Sequence, residues 1–338
     1  MSQISVPDVT PRTHDPLGVH SVEARGDKVA IVGAGAVGST LAYAGLMRGF
    51  ARTVALYDIN TAKVEAEALD LAQGIQFMPE ATVEGSSDVA VCADADVVVV
   101  TAGAKQQPGQ SRLDLAAATI SLMDKVLPPL LEVAPNAVYI LVTNPVDVVT
   151  LAAIKKSGVS PRKMFGSGTV LDSSRLRHMV AQECNVAVGN VHAYIAGEHG
   201  DSEVPLWSSA TIGGVPIGEW HDDDGRPIMT REVRDRIHRD VVQSAYKIIE
   251  GKGATNYAIG IAGARIVEAV LGDQNRILPV STLIDFPGVG EVCMSLPAVI
   301  GRGGIKHSVP VPLDPQESDA LESSARSILS TYQKFGSL

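Results

Sequence analysis

Cysteine is scarce: Cys92, Cys184 and Cys293 are the only 3 in 338 residues, and they lie far apart. Without a CxxC pair they make neither a disulfide framework nor a zinc site, and reduced core thiols are expected. The 8 histidines show no HxxxH or HxH spacing beside carboxylates, so a metal role is not expected. No uninterrupted apolar run approaches the roughly 18 residues needed to span a bilayer. The N-terminus lacks an apolar export segment, and Asp8, Asp15 and Glu23 weaken a transit-peptide reading. Basic charge is in deficit, with 28 Lys plus Arg against 38 Asp plus Glu and a formal net charge of -10. That balance disfavours nucleic acid and anionic membranes as partners but leaves room for a local basic pocket. A soluble cytoplasmic protein is the expectation.

What is present is a chain that is 45% hydrophobic, enough for a packed core. At roughly 100–200 residues per domain its length suggests about two domains. Residues 1–27 carry Pro7, Pro11, Pro16, Gly18 and Gly26 without periodicity, and read as a mobile tail or an arm for another subunit. From Lys28 short apolar runs alternate with helical patterns. Strands are expected over 29–32, 53–57, 97–101 and 138–143, and helices over 39–50, 61–73 and 113–132. Val64, Ala68, Leu71 and Ala72 are expected on one face of the 61–73 helix. Strands apolar on both faces, alternating with helices, imply a doubly wound parallel sheet of Rossmann type over 28–168. The remainder, 169–338, reads as a mixed α+β domain. It has helices over 171–184 and 230–250 and strands over 191–195, 277–283, 291–298 and 307–311. In the 230–250 helix, Val233, Ile237, Val241, Ala245 and Ile248 fall at helical spacing. A final helix opens with Asp314 as N-cap, Pro315 at the first helical position and Glu317 closing a capping box.

Gly33-Ala34-Gly35-Ala36-Val37-Gly38 is a G-x-G-x-x-G loop between a strand and a helix. Gly33, Gly35 and Gly38 permit a tight turn, approach of a pyrophosphate and close helix–strand packing. Val37 lies at the helix start, where unpaired N–H groups favour an anion. Asp58 follows the second strand, 20 residues after Gly38. An acid there accepts from an adenosine ribose and repels a 2′-phosphate, which favours NAD over NADP.

A second constellation lies downstream. His199 stands in the polar, glycine-flanked stretch Gly197-Glu198-His199-Gly200-Asp201. Asp172 and Arg175, three residues apart, project from one helix face. Arg112 closes a polar Pro-Gly segment that joins a buried strand to a helix and has the character of a lid.

Together with Thr143-Asn144-Pro145-Val146-Asp147 and the stretch 166–175, these motifs resemble the L-lactate/malate dehydrogenase family, on its bacterial lactate side. The resemblance runs from about Lys28 to the last helix. It implies His199 as the acid/base for the keto oxygen, Asp172 as the group that orients it, and Arg175 as a bidentate clamp on the substrate carboxylate. Arg112 would polarise the carbonyl when its loop closes, and Asn144 would bond near the nicotinamide and the substrate. NAD is the implied cofactor.

The family separates its substrates by pocket charge. Gln106 occupies the discriminating position, where a neutral side chain disfavours a second carboxylate. Thr255 matches a second pocket position suited to a methyl group, and is also readable as a helix N-cap. Pyruvate and L-lactate are therefore expected, with malate or another 2-hydroxy acid as the alternative. A nucleotide-binding protein that has lost the chemistry is disfavoured by the intact set of four residues. Arg177, two positions beyond Arg175, points to the opposite helix face. With His192 it matches positions that bind fructose 1,6-bisphosphate between subunits of bacterial members. The resemblance thus also implies a sugar-bisphosphate activator and a homotetramer.

Overall fold

Four consecutive valines, Val97–Val100, are all buried, as a strand covered on both faces requires. They form the middle of a sheet in the computed structural model of the chain, which describes residues 27–103 and 112–335. The expected tail, apart from Asp27, lies outside the described residues.

The first half runs β1 (Lys28–Val32), α1 (Ala36–Arg48), β2 (Thr53–Tyr57), α2 (Thr61–Gln73), β3 (Thr82–Ser86), β4 (Val97–Val100), α3 (Arg112–Val133), β5 (Val138–Leu141), α4 (Val146–Ser157) and β6 (Met164–Gly166). These six strands are parallel and stand in the order β3-β2-β1-β4-β5-β6. Strand order reverses between β1 and β4, and such a switch point leaves a crevice at the strands' carboxyl ends. Side chains alternate between two cores, as the pleat dictates. Val29, Ile31, Val97, Val99, Val138 and Ile140 share one core. Ala30, Val32, Val98, Val100, Tyr139 and Leu141 share the other.

The second half begins with α5 (Val170–Glu183), then β7 (Val191–His192), β8 (Ile195–Gly197), β9 (Glu203–Pro205), β10 (Thr211–Ile212), β11 (Val215–Pro216), α6 (Arg231–Lys252) and α7 (Tyr257–Leu271). It ends with β12 (Arg276–Phe286), β13 (Gly290–Gly301), β14 (Gly304–Ser308) and α8 (Pro315–Phe335). The antiparallel β12–β13 hairpin extends the parallel sheet through β6, and β8 and β9 continue it beyond β13. Strands β7, β10 and β11 form a small separate sheet.

Several expectations need correction. The first helix starts at Ala36, not residue 39, because Gly35 in extended conformation already serves as its N-cap. Ala72 is exposed, while Val64, Ala68 and Leu71 form the buried face. The expected strand over 191–195 is two strands: β7 pairs with β10 in the small sheet and β8 joins the large one. The expected strand over 307–311 lies earlier, as β14, because the turn at Gly303 and Gly304 brings the chain back onto β13 sooner. The capping box of the last helix is present: Glu317 N donates to Asp314 Oδ1 at 2.8 Å and Asp314 N donates to Glu317 Oε2 at 3.1 Å. All three cysteines are buried free thiols. No helix among the described residues is long and apolar enough to cross a membrane.

Candidate active site

The glycine loop sits at the switch point, and its three glycines meet different surroundings. Gly33 has φ +104°, and a Cβ there would stand 2.8 Å from Ala102 N. A Cβ on Gly38 would lie 1.9 Å from Gly33 O, so these two positions are packed against the protein itself. Gly35 is different: a Cβ there would meet nothing within 4 Å, so its backbone faces open space. No side chain caps α1 and no acid stands in its first turn, which leaves the helix N-terminus, with Val37, available to an anion. Asp58 flanks the loop. Its Oδ2 accepts from Ala34 N at 2.8 Å and its Oδ1 from Asn60 N at 3.0 Å. Backbone donors, an uncapped helix end and one fixed carboxylate together fit a dinucleotide with an unphosphorylated ribose.

The second set of residues is brought together from elements far apart in the chain. Asp172 lies in the first turn of α5, and the loop between β8 and β9 carries His199. Two bonds dock α5 on β8: Thr169 Oγ1 donates to Ile195 O at 2.6 Å, and Ile195 N donates to Ser173 Oγ at 2.8 Å. Gly197 then turns the chain with φ +87°, where a Cβ would press on Ser324 Oγ at 2.8 Å. Two further bonds fix the loop: Glu198 N donates to Ser324 Oγ at 2.8 Å, and His199 N donates to Asp147 Oδ2 at 2.7 Å.

As a result one buried carboxylate bridges two cationic groups. Asp172 Oδ2 lies 2.5 Å from His199 Nδ1, and Asp172 Oδ1 accepts from Arg175 at 2.8 Å. Asp172 is 2% exposed. Burial opposes its charge, but His199 and Arg175 outweigh that cost and hold it below the ordinary carboxylate range. Burial likewise opposes a charge on His199, yet Asp172, with help from Asp147 and Glu203, lifts its pKa to about 9. Burial pushes Asp147 to about 6. Burial, followed by the nearby Asp172, pushes Glu203 to about 9.

Asp172, Arg175, His199 and Glu203 face a cavity of about 600 Å³, lined also by Asn144, Pro145, Val241, Ala245 and Tyr246. The structure thus brings together His199, Asp172, Arg175 and Asn144. It does not bring Thr255 to the cavity wall. That residue lies on the α6–α7 connection, and the apolar lining includes Val241, Val242, Ala245 and Ile249 of α6. Nor does Thr255 cap α7, whose N-cap is Asn256. Gln106 lies outside the described residues, as does the side chain of Arg112, whose backbone opens α3. Arg177 turns away from Arg175: its Nε donates to Ala193 O at 2.8 Å and its guanidinium lies 4.8 Å from the Tyr194 ring centre. His192, in adjacent β7, is exposed. Among the described residues no cluster of three or more His, Cys, Asp or Glu side chains could hold a metal ion.

Sequence reasoning missed Asp147, Glu203 and Ser324. Asp147 belongs to the Asn-Pro motif already noted, but no charge partner in its neighbourhood marks it. Glu203 carried a signal, an acid set in the otherwise apolar run Glu203-Val204-Pro205-Leu206. Ser324 sits in an ordinary amphipathic helix and carried none.

Comparison with known proteins agrees with this geometry. The family model for the lactate/malate dehydrogenase NAD binding domain matches residues 27–166, and that for the lactate/malate dehydrogenase alpha/beta C-terminal domain matches 169–336. An L-lactate dehydrogenase of Bifidobacterium animalis subsp. lactis is 57% identical over 310 residues, 91% of this chain and 97% of its own. One from Kosmotoga olearia is 43% identical over 303 residues, 89% of this chain and 94% of its own. Among solved structures, a lactate dehydrogenase from a Medee basin deep-sea metagenome library superposes with TM-score 0.87 at 37% identity, covering 92% of this chain and 99% of that one. A minor L-lactate dehydrogenase from Enterococcus mundtii gives 0.86 at 34% identity, covering 91% and 98%. With both halves matched and the paired sites in place, the chain belongs to the lactate/malate dehydrogenase family.

Proposed function

We propose that the protein is an NAD-dependent L-lactate dehydrogenase that interconverts pyruvate and L-lactate. The observation that carries this is the Asp172 carboxylate bonded to both His199 and Arg175 at the edge of one cavity. Gly33–Gly38 and the start of α1 would hold the pyrophosphate of NAD and Asp58 would accept from its ribose, and the cofactor so held would supply or accept the hydride.

Arg175 fixes the substrate carboxylate through its planar fork. The keto oxygen then lies toward His199, whose Nδ1–H is held by Asp172, so that Nε2 carries the transferable proton. His199 gives that proton to the keto oxygen in reduction and takes the hydroxyl proton back in oxidation. Asp172 stays ionised and stabilises the imidazolium. Asn144 bonds near the reacting centre. Arg112 enters with its loop to stabilise charge on the oxygen, and Gln106 completes a pocket for a monocarboxylate.

Charge favours pyruvate over oxaloacetate. Among the described residues lining the cavity, Arg175 is the only lysine or arginine, against Asp172, Glu198, Asp201 and Glu203. A second substrate carboxylate at this wall would face acids and find no further lysine or arginine there, while Arg112 is engaged with the keto oxygen.

Regulation is the second part of the proposal. Arg177 bonds to the carbonyl oxygen of Ala193, the residue after His192, and neither Arg177 nor His192 lines the cavity. They form an anion site for fructose 1,6-bisphosphate between the subunits of a homotetramer, where facing cations repel until the ligand binds.

One assay tests both parts: NADH oxidation with pyruvate and with oxaloacetate, each with and without fructose 1,6-bisphosphate. Strong preference for pyruvate, raised by the bisphosphate and insensitive to it in Arg177→Gln, is the expected result. Preference for oxaloacetate would overturn the substrate reading. Full activation of Arg177→Gln would overturn the regulatory one.

A further inference from the structure

The cluster around His199 contains one ionisable group without an assigned task. Glu203 opens β9, pairs in register with Gly197 across the hairpin, and is 4% exposed. Its Oε1 is buried without a hydrogen-bond partner among the described residues. It lines the same cavity as Asp172, Arg175 and His199. The charged groups that act on it are Asp172 and Arg175 from α5, and His199 and Asp201 from its own loop. From α6, His238 Nε2 lies 3.0 Å from the Glu203 backbone oxygen. Helix α8 packs along β9, and the carboxylate of its buried Glu317 is already bonded to Ser208 and Asp314.

Two buried carboxyl groups lining one cavity do not both ionise cheaply. Asp172 has two cationic partners bonded to it, and Glu203 has none, so the proton stays on Glu203. We propose that Glu203 is a positioning residue for the proton transfer: walled in beside Asp172 with no cation bonded to it, it rests as a neutral acid, and its charge, once formed, helps keep the proton on His199. This extends the pH range over which His199 can act as an acid. The inference rests on His199 being the acid/base of the proposed reaction.

Two readouts are independent of that reaction. The infrared carbonyl stretch of a protonated carboxylic acid is expected in the wild type at pH 7 and missing in Glu203→Gln. Thermal unfolding gives the second. Folding makes Glu203 retain a proton that the unfolded chain releases above the ordinary glutamate range. The wild type therefore loses stability relative to Glu203→Gln as pH rises from about 5 toward about 9. The melting temperature of the wild type minus that of Glu203→Gln should fall steadily as pH rises. A gap that is constant with pH, or an unchanged carbonyl band, would overturn the neutral-acid assignment.

The kinetic readout is the alkaline limb of kcat/KM for pyruvate. It should move to lower pH in Glu203→Gln than in the wild type, a movement that a purely structural role would not cause. An unmoved limb would overturn the role toward His199. If Glu203→Gln fails to fold, Glu203→Leu, equally unable to ionise, takes its place. Absence of pyruvate turnover in the wild type would sink the functional reading while leaving the infrared and unfolding results to decide the state of Glu203.

Discussion

The two sites are built on opposite principles. At the glycine loop the recognition groups are main-chain: Gly33 and Gly38 pack tightly, Gly35 opens outward, and a single carboxylate, Asp58, stands alongside. All lie within one βαβ unit. At the His199 site the groups are ionisable side chains from α4, α5, the β8–β9 loop and β9, with Asp147, Asp172 and Glu203 buried. The first site offers fixed main-chain dipoles suited to a large anion. The second concentrates buried charge so that one proton is held and passed. Steric changes should therefore damage the first, and changes of charge the second.

The largest effect is expected at the buried pair. His199→Gln removes the only group placed to move the proton, and should lower kcat for pyruvate by about 10²–10⁴-fold with little loss of NADH binding. Fluorescence titration with NADH separates the two effects. The next largest is a contrast within the loop. Gly33→Ala forces a side chain into φ +104° and against Ala102, and should cost about 2 kcal/mol or more in stability. Gly35→Ala should leave unfolding nearly unchanged and weaken only NADH binding, and equal unfolding losses in both would break the distinction drawn between them. Asp58→Ser should lower affinity for NADH by about tenfold and narrow the gap to NADPH, as a lost ribose hydrogen bond and a lost repulsion predict. The smallest effect lies outside both sites: Asp314→Ala should cost about 1 kcal/mol through the α8 cap alone, with kinetics unchanged.

The same contrast explains what could be read from the chain. Strand β2 and helix α2 have the expected limits because their signals are local: a buried strand, and a helix capped by Asn60. The glycine loop was legible for the same reason. Helix α4 escaped notice because Val146–Ile154 are buried on every side, which removes the polar face that marks a helix. Helix α7 is hidden similarly, with Gly260 and Gly263 packed closely on Thr40 and Leu41 of α1. The break after His192 is tertiary, since the chain leaves one sheet for another there. At the active site, Asp172 and Arg175 were visible as a helical pair and His199 by its loop. Asp147 matters through three-dimensional proximity, Glu203 showed only as an acid in an apolar run, and Thr255 lies on the α6–α7 connection, outside the described lining of the cavity.

The central claim is that Asp172 holds the proton on His199. It predicts a sign for the pH dependence. His199 must be protonated for pyruvate reduction, so activity should persist up to about pH 9 and fall above it, while lactate oxidation rises toward that value. The most direct measurement is kcat/KM for pyruvate against pH in the wild type and in Asp172→Asn. A limb near pH 9 in the wild type, displaced toward the ordinary histidine range in Asp172→Asn and by more than in Glu203→Gln, is the predicted result. A limb that stays in place when Asp172 loses its charge would contradict the account.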